Sequence, residues 1–268
     1  MIGCRCDVCL SDDPRNRRFR PSILVRHGGR AILVDTTPEL RMQALAFDVR
    51  QVDAVLFTHT HADHIMGLDD LRRFNDLSGQ EMPVYGDDET LADIRRIFPY
   101  IFRETQLGGG KPRLALQTVA PDFTLFGLRV RSFYVLHGKL PVLAYRFDSY
   151  EAPPGVAGNE MQGREDGEGG RHEPEARQPE RSVAYVTDVS SIPAEAMEKL
   201  RNLDVLILDA VRFEPHQTHF GLYQALDVIA ELKPAQAYLT HLSHHFDHEK
   251  VNAQLPPNVR LAYDGLVT

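Results

Sequence analysis

THTHADH, residues Thr58 to His64, constrains this chain more than any other stretch of its 268 residues. It follows directly on VDAVLF, an apolar run of the length of a buried strand, so the histidines fall on a loop at a strand's C-terminal end. His59, His61, Asp63 and His64 can all ligate a metal. Alternate residues of an extended loop face opposite ways, so one such segment can serve two adjacent ions. A chain committed to this arrangement needs other strands to bring further ligands to the same place. SFYVLH, SVAYVTD, NLDVLILD and AQAYLTH are β-rich runs that end in His or Asp, at His137, Asp188, Asp209 and His241.

The rest of the chain reads as α/β. ILVRHGGRAILVD carries two β-rich runs around Gly28 and Gly29, the pattern of a hairpin. Thr37 is placed to cap a short helix beginning at Pro38. GLDDLRRFN opens a helix near Asp69, PVYG is a short strand, and DETLADIRRIFPYIF is one amphipathic helix. TLFGLRVRSFYVLH and PVLAYRFD read as antiparallel strands, and GLYQALDVIAEL as a helix before AQAYLTH. The expected organisation is one domain spanning 1–268 with an insertion at about 151–181. That segment has eight acidic and four basic residues, a net of -4 of the chain's -8, and almost no large apolar side chains. It cannot bury enough surface to offset its ordering entropy, so disorder is expected there.

Composition matters mainly for what it excludes. No apolar run approaches the roughly 18 residues of a membrane span, and no basic cluster makes a footprint for a phosphate backbone. The expected partners are therefore small molecules rather than membranes or long nucleic acids, and the expected location is the cytoplasm. All three cysteines lie in GCRCDVC, as Cys4, Cys6 and Cys9. An odd, tightly spaced set is a poor disulfide framework and points to metal, one ligand short of a tetrahedral zinc site.

HxHxDH is the motif of the metallo-β-lactamase superfamily, which this sequence resembles. The resemblance implies a four-layer αββα sandwich of two mixed sheets flanked by helices. It implies a binuclear centre with His59, His61 and His137 on one ion, Asp63, His64 and His241 on the other, and Asp188 between them. The GCxCxxC segment near the start and THLSH near the end match a subgroup that resembles the phosphoribosyl cyclic phosphodiesterases of phosphonate breakdown. SDDPRNRRFRPSILV and GLDDLRRFN strengthen that likeness. It implies a separate structural zinc site of Cys4, Cys6, Cys9 and His244, with His245 and His248 as alternatives that spacing leaves open. Relatives carry a β-strand and Gly-rich turn ahead of the cysteines where this chain has Met1 to Gly3, so the first strand is expected to be missing. A bare edge strand would favour a homodimer.

The expected cofactors are two divalent catalytic ions, zinc, manganese or iron, and one structural zinc. The expected function is hydrolysis of small cyclic phosphodiesters by a water made acidic between two cations. Candidates for catalysis are Asp63, His219 and His216, with His219 the first choice as general acid by resemblance. Thioester hydrolysis, RNA 3′-processing and a cofactor-biosynthesis oxygenase are the alternatives on the same scaffold. Asp35 either orients a ligand histidine or is a plain turn aspartate. Arg72 and Arg73 are candidates for substrate phosphate, and His27 and His172 are read as structural or solvent residues.

Overall fold

The computed structural model describes residues 1–103, 110–150 and 178–268. The predicted hairpin is present as β1 (Ile23–His27) and β2 (Arg30–Val34), paired antiparallel. Gly28 and Gly29 both have positive φ, +55° and +75°. That is the backbone of a two-residue turn whose twist matches the strands, and glycine adopts it without steric cost.

Three parallel strands extend this pair: β3 (Ala54–Leu56), β4 (Met82–Gly86) and β5 (Leu114–Thr118), in the order β1-β2-β3-β4-β5. The second sheet holds β6 (Asp122–Leu125), β7 (Leu128–His137), β8 (Leu140–Ser149), β9 (Arg181–Val186), β10 (Val205–Asp209), β11 (Gln236–Thr240) and β12 (Val259–Leu261). Its order is β12-β11-β10-β9-β8-β7-β6, parallel from β9 to β12 and antiparallel from β6 to β9. Both sheets are mixed, as the resemblance implied.

Period-two alternation creates the layers. Ile32, Val34, Ala54 and Leu56 point inward and meet Leu128, Val130, Leu143, Tyr145 and Tyr185 of the second sheet. Their chain neighbours Leu33, Val55 and Phe57 point outward to α3 (Leu71–Ser78) and α4 (Asp88–Ile97). On the far side, Ala184, Val186, Leu206 and Leu208 pack against α6 (Ala194–Lys199) and α7 (Leu222–Leu232). Three apolar layers thus separate helix, sheet, sheet and helix. Fully buried side chains such as Phe57, Leu143 and Leu206 each contribute about 1.5–3 kcal/mol of transfer free energy.

Several local expectations are corrected. Helix α1 runs Leu40–Ala46 rather than from Pro38, and the Thr37 hydroxyl donates to Gln43 instead of capping. The single helix expected over DETLADIRRIFPYIF divides into α4 and α5 (Pro99–Phe102), because Pro99 supplies no amide hydrogen to continue the first. Residues 151–177 of the expected insertion lie outside the described residues, whereas Arg181 belongs to β9 and the Glu180 amide donates to the Ser149 carbonyl. Ladder pairing accounts for that boundary. Two short helices, α2 (Ala62–Ile65) and α8 (His248–Asn252), complete the set. Among the described residues, no helix is long and apolar enough to cross a membrane.

Candidate metal centre

The loops that leave β3, β7, β9, β10 and β11 converge at one end of the sandwich. HTHADH is extended only through His61; Ala62–Ile65 form one helical turn, which corrects the expected run of alternating residues. The turn sends Asp63 and His64 toward the second sheet. It is held tightly: the Gly67 amide donates to the Thr36 carbonyl, and a Cβ at Gly67 would lie 2.0 Å from the Thr37 oxygen.

Asp188 sits at the middle, buried, with its two oxygens facing different histidines. Oδ2 lies 3.8 Å from His59 Nε2 and 4.0 Å from His137 Nε2. Oδ1 lies 3.2 Å from His64 Nε2 and 3.6 Å from His241 Nε2. Asp63 Oδ2 is 3.5 Å from both His64 Nε2 and His241 Nε2. The His61 ring is 4.5 Å from that of His59 and 5.1 Å from that of His137, and His61 joins His59 and Asp188 in one ligand cluster. All seven expected residues are therefore gathered around Asp188: Asp63, His64 and His241 in one group, His59 and His61 in a second, and His137 in a third that also takes in His219.

Hydrogen bonds fix which nitrogen three of these histidines present. His137 Nδ1 is 2.6 Å from the Thr218 carbonyl, which can only accept, so Nδ1 carries hydrogen and Nε2 is a free lone pair. Thr58 Oγ donates to Asp35 Oδ2 at 2.8 Å and so accepts from His59 Nδ1 at 3.0 Å. Asp35 Oδ2 also takes His64 Nδ1 at 2.8 Å. Asp35 thus holds His64 directly and His59 through Thr58, a contact that a plain turn aspartate would not make. Asp209, whose strand-ending position drew no role from sequence, accepts from His219 Nδ1 at 2.8 Å and from the Val189 amide at 3.0 Å. The signal was there in NLDVLILD, which ends like the other ligand-bearing strands.

A metal fits this donor set. His59 Nε2 and His64 Nε2 are buried and have no hydrogen-bond partner among the described residues. Buried polar nitrogens are almost always satisfied, and here they aim at carboxylates and at each other. The charges tell the same story. Burial lowers the His59 pKa to about 2, helped by the neighbouring His64. Burial would lower His241 too, but Asp188, Asp63 and Asp209 outweigh it and raise the pKa to about 9. Asp188 is held well below the usual range: its burial is overcome by His241, His64 and His59. Asp35, Asp188 and His241 all have left-handed backbone, φ +65°, +51° and +57°. For non-glycine residues that costs on the order of 1–3 kcal/mol each and persists where the surroundings impose it.

The remaining candidates separate cleanly. His219 lies against His137 and His241, with ring centroids 4.5 and 4.8 Å away. His216 is exposed, its ring 5.3 Å from that of His219, and its Nδ1 meets Thr218. Arg72 donates to the Gly110 carbonyl and Arg73 faces Asp76, so neither is drawn into the cluster. His172 lies outside the described residues. At the N-terminus, Cys4, Cys6, Cys9 and His244 form a second ligand cluster, with Cys4 and Cys6 Sγ each 3.4 Å from His244 Nδ1. His245 Nδ1 turns to Ser243 Oγ, and His248 is buried against Tyr263. The geometry selects His244.

Residues 30–159 and 173–242 match the β-lactamase superfamily domain. The chain belongs to the metallo-β-lactamase superfamily. A crystal structure described as a new diphosphatase from the PhnP family is 37% identical, with a TM-score of 0.81 over 99% of this chain and 89% of that one. That places the chain in the subgroup its cysteines suggested. An octanoyltransferase of Porphyromonas gingivalis is 34% identical over 99% of this chain, which spans 48% of that protein's length. A ribonuclease Z of Methanopyrus kandleri is 28% identical, covering 95% of this chain and 92% of the relative.

Proposed function

We propose that the chain is a binuclear-metal hydrolase of small phosphodiesters, cyclic ones included. The observation that carries this reading is the division of Asp188, one oxygen toward His59 and His137 and the other toward His64 and His241. His59, His61 and His137 would hold one ion and Asp63, His64 and His241 the other. Two divalent ions held there would supply an activated water and offset charge on a phosphoryl group, so no serine or cysteine nucleophile would be required.

His219 supplies what is then still needed, a proton for the leaving oxygen. Its Nδ1 hydrogen is engaged by Asp209, which leaves Nε2 to carry the transferred proton. Cys4, Cys6, Cys9 and His244 would hold a structural zinc: closed sulfur and nitrogen ligation leaves no open position for substrate.

The diphosphatase relative supports a phosphorus substrate, and a disubstituted diphosphate would present the same anionic phosphorus. The test is elemental analysis joined to a substrate panel of cyclic nucleotides, ribose cyclic phosphates, an aryl phosphodiester, a disubstituted diphosphate, an acyl thioester and a short RNA. Three ions per chain and turnover confined to phosphorus esters or anhydrides are expected. Thioester turnover alone would move the reading toward acyl chemistry, and oxygen consumption with bound iron toward an oxygenase.

A further inference from the structure

His241 reaches its place from a strained, left-handed residue at the end of β11. The question is what holds the following turn still. Leu242 packs on the helix-facing core, and the Ser243 amide donates to the Val211 carbonyl. Within the loop the Phe246 amide reaches the Ser243 carbonyl at 3.4 Å, and the Ser243 hydroxyl meets His245 Nδ1 at 2.9 Å and its amide at 3.4 Å, bonds that leave the backbone ends of the turn weakly closed. Its carbonyls turn instead to a residue more than two hundred positions away.

Arg18 donates from Nη1 to the Ser243 carbonyl at 3.2 Å and from Nη2 to the Phe246 carbonyl at 2.8 Å. One planar guanidinium therefore spans both ends of the turn. A lysine ammonium could satisfy either carbonyl but lacks the rigid fork that fixes the distance between them. The same Nη2 meets Asn16 Oδ1 at 3.2 Å, and that oxygen also accepts the His248 amide at 2.9 Å. Asn16 Nδ2 in turn donates to Ser11 Oγ, two residues beyond Cys9. A continuous set of hydrogen bonds thus runs from the cysteine segment through Asn16 and Arg18 to the loop between His241 and His248. A second tie is local: His244, three residues after His241, meets Cys4 and Cys6 through its ring, and its carbonyl lies 3.9 Å from Cys6 Sγ.

We propose that Arg18 is the positioning residue for His241, and that through it occupancy of the cysteine cluster is coupled to the affinity of the ion held by Asp63, His64 and His241. This rests on the binuclear reading above and deepens it. Arg18 touches no ligand atom. It acts on the population of loop conformations in which Nε2 of His241 faces Asp63 and Asp188, and an ion that needs that conformation binds more weakly in proportion to its loss. The ion assigned to His59, His61 and His137 has no ligand on this loop, so it is unaffected. Coupling of this kind is reciprocal: a metal in the cysteine cluster strengthens the His241 ion by the factor with which that ion strengthens the cluster.

The test uses the full chain loaded with cobalt and challenged with a graded series of chelator. Thiolate-to-cobalt charge transfer reports the cysteine cluster, and weaker visible bands report the histidine and carboxylate ligands, so the populations are read separately. His241→Ala serves as the reference that marks loss of the second ion. Arg18→Ala is expected to reproduce that pattern partially, weakening one non-thiolate ion about 10–100-fold, as for other orienting partners of metal ligands. The thiolate band should stay, and Arg18→Lys should fall between Arg18→Ala and wild type. Cys6→Ser should weaken the same non-thiolate ion.

Unchanged release of both non-thiolate ions from Arg18→Ala overturns the proposal. So does loss of the thiolate band and the second ion together in Arg18→Lys, because Arg18 would then be holding the whole N-terminal segment rather than the loop. If Arg18→Ala does not fold, Arg18→Lys carries the same readout. Wild-type protein that binds no ion outside the thiolate cluster removes the binuclear reading and this proposal together, whereas a normal wild type with unresponsive Arg18 variants removes this proposal alone.

Discussion

The two ligand clusters are about equally dense in metal-binding side chains, yet they are built in opposite ways. The histidine and aspartate cluster is assembled from strand ends and backed by the buried carboxylates Asp35 and Asp209, and three of these residues, Asp35, Asp188 and His241, have left-handed backbone. The cysteine cluster lies on a half-exposed N-terminal segment, joined to one loop histidine, and no carboxylate takes part in it. The first spends conformational strain to point lone pairs into a common space, which is what a reactive centre requires. The second completes a closed set of four ligands and fastens a segment that has few other contacts. Each difference has its own experimental consequence.

The largest expected effect falls on the shared carboxylate. Asp188→Asn keeps size and shape but removes the negative charge that faces both histidine sets, so turnover of an aryl phosphodiester should drop on the order of 10³-fold or more. His61→Ala should do the same at little cost in melting temperature, because His61 is exposed. If either variant kept near wild-type turnover with both ions in place, the two clusters would no longer differ in kind. One step outward, Asp209→Asn should lower turnover about 10–100-fold while leaving the cobalt spectrum unchanged. His216→Ala should change it less than about threefold.

Cys6→Ser exchanges the axis of the comparison from rate to stability. An ion present at a thousandfold excess over its Kd stabilises the folded state by about 4 kcal/mol. In a domain of this size that corresponds to roughly 8–16 °C in melting temperature. A scan of the loaded variant should therefore show a fall of that order together with one fewer ion per chain. A variant that loses turnover with an unchanged melting temperature and full metal content would assign the cysteines to catalysis instead.

Much of this contrast was legible in the sequence because ligand spacing is local in both clusters. HTHADH and GCRCDVC announce themselves within a few residues. The hairpin around Gly28 and Gly29 and the strands ending at His137 and Thr240 were equally local, set by turn chemistry and apolar alternation. Asp188 and His241 needed the order of strands in a family to be singled out, since a lone residue at a strand end carries no mark of its partners. Arg18 was not legible as a functional residue, and Asp209 only as one more strand-ending aspartate, because each acts through a side chain or carbonyl that the fold brings near. Helix α1 was placed too early for a similar reason, because the Thr37 hydroxyl is claimed by Gln43, and that contact has no signature in the Thr-Pro dipeptide.

Acidity bears on both clusters. Without metal, His241 has its pKa raised to about 9 by carboxylates that overcome its burial, above the ordinary histidine value of 6.5. Its proton therefore stabilises the metal-free fold fully below about pH 6.5, and that contribution is lost as pH rises through about 9. An ion at His241 must displace the proton, so its affinity should climb with pH across that window. The cysteine cluster is mixed: the hydrogen bond to His244 brings the Cys6 thiol down to about 6, whereas burial raises that of Cys9. On acidification from pH 9 to 6.5 the weaker, non-thiolate cobalt bands should therefore decline as the proton returns to His241. Non-thiolate bands that held unchanged across that window would contradict this account.

The smallest effect is expected from the segment between β8 and β9, which bears on whether either cluster is the working part of the protein at all. It carries eight acidic and three basic residues, a net of -5 of the chain's -8, a composition that also suits an interaction role. The strands it joins are antiparallel neighbours, with Ser149 opposite Arg181 and Tyr145 opposite Tyr185, so its two ends meet at adjacent positions of one ladder. A short turn can close such a pair without altering the register. Strand β9 leads to Asp188 at its other end, and nine rungs of β7 and β8 lead to His137, so neither residue depends on what connects Ser149 to Glu180. Replacing residues 152–178 with a four-residue Asn-Gly turn should therefore leave metal content unchanged and phosphodiester turnover within about twofold. If turnover instead collapsed while both cobalt signatures stayed intact, the segment would be taking part in substrate recognition, and the division of labour between two metal clusters would have to admit a third element.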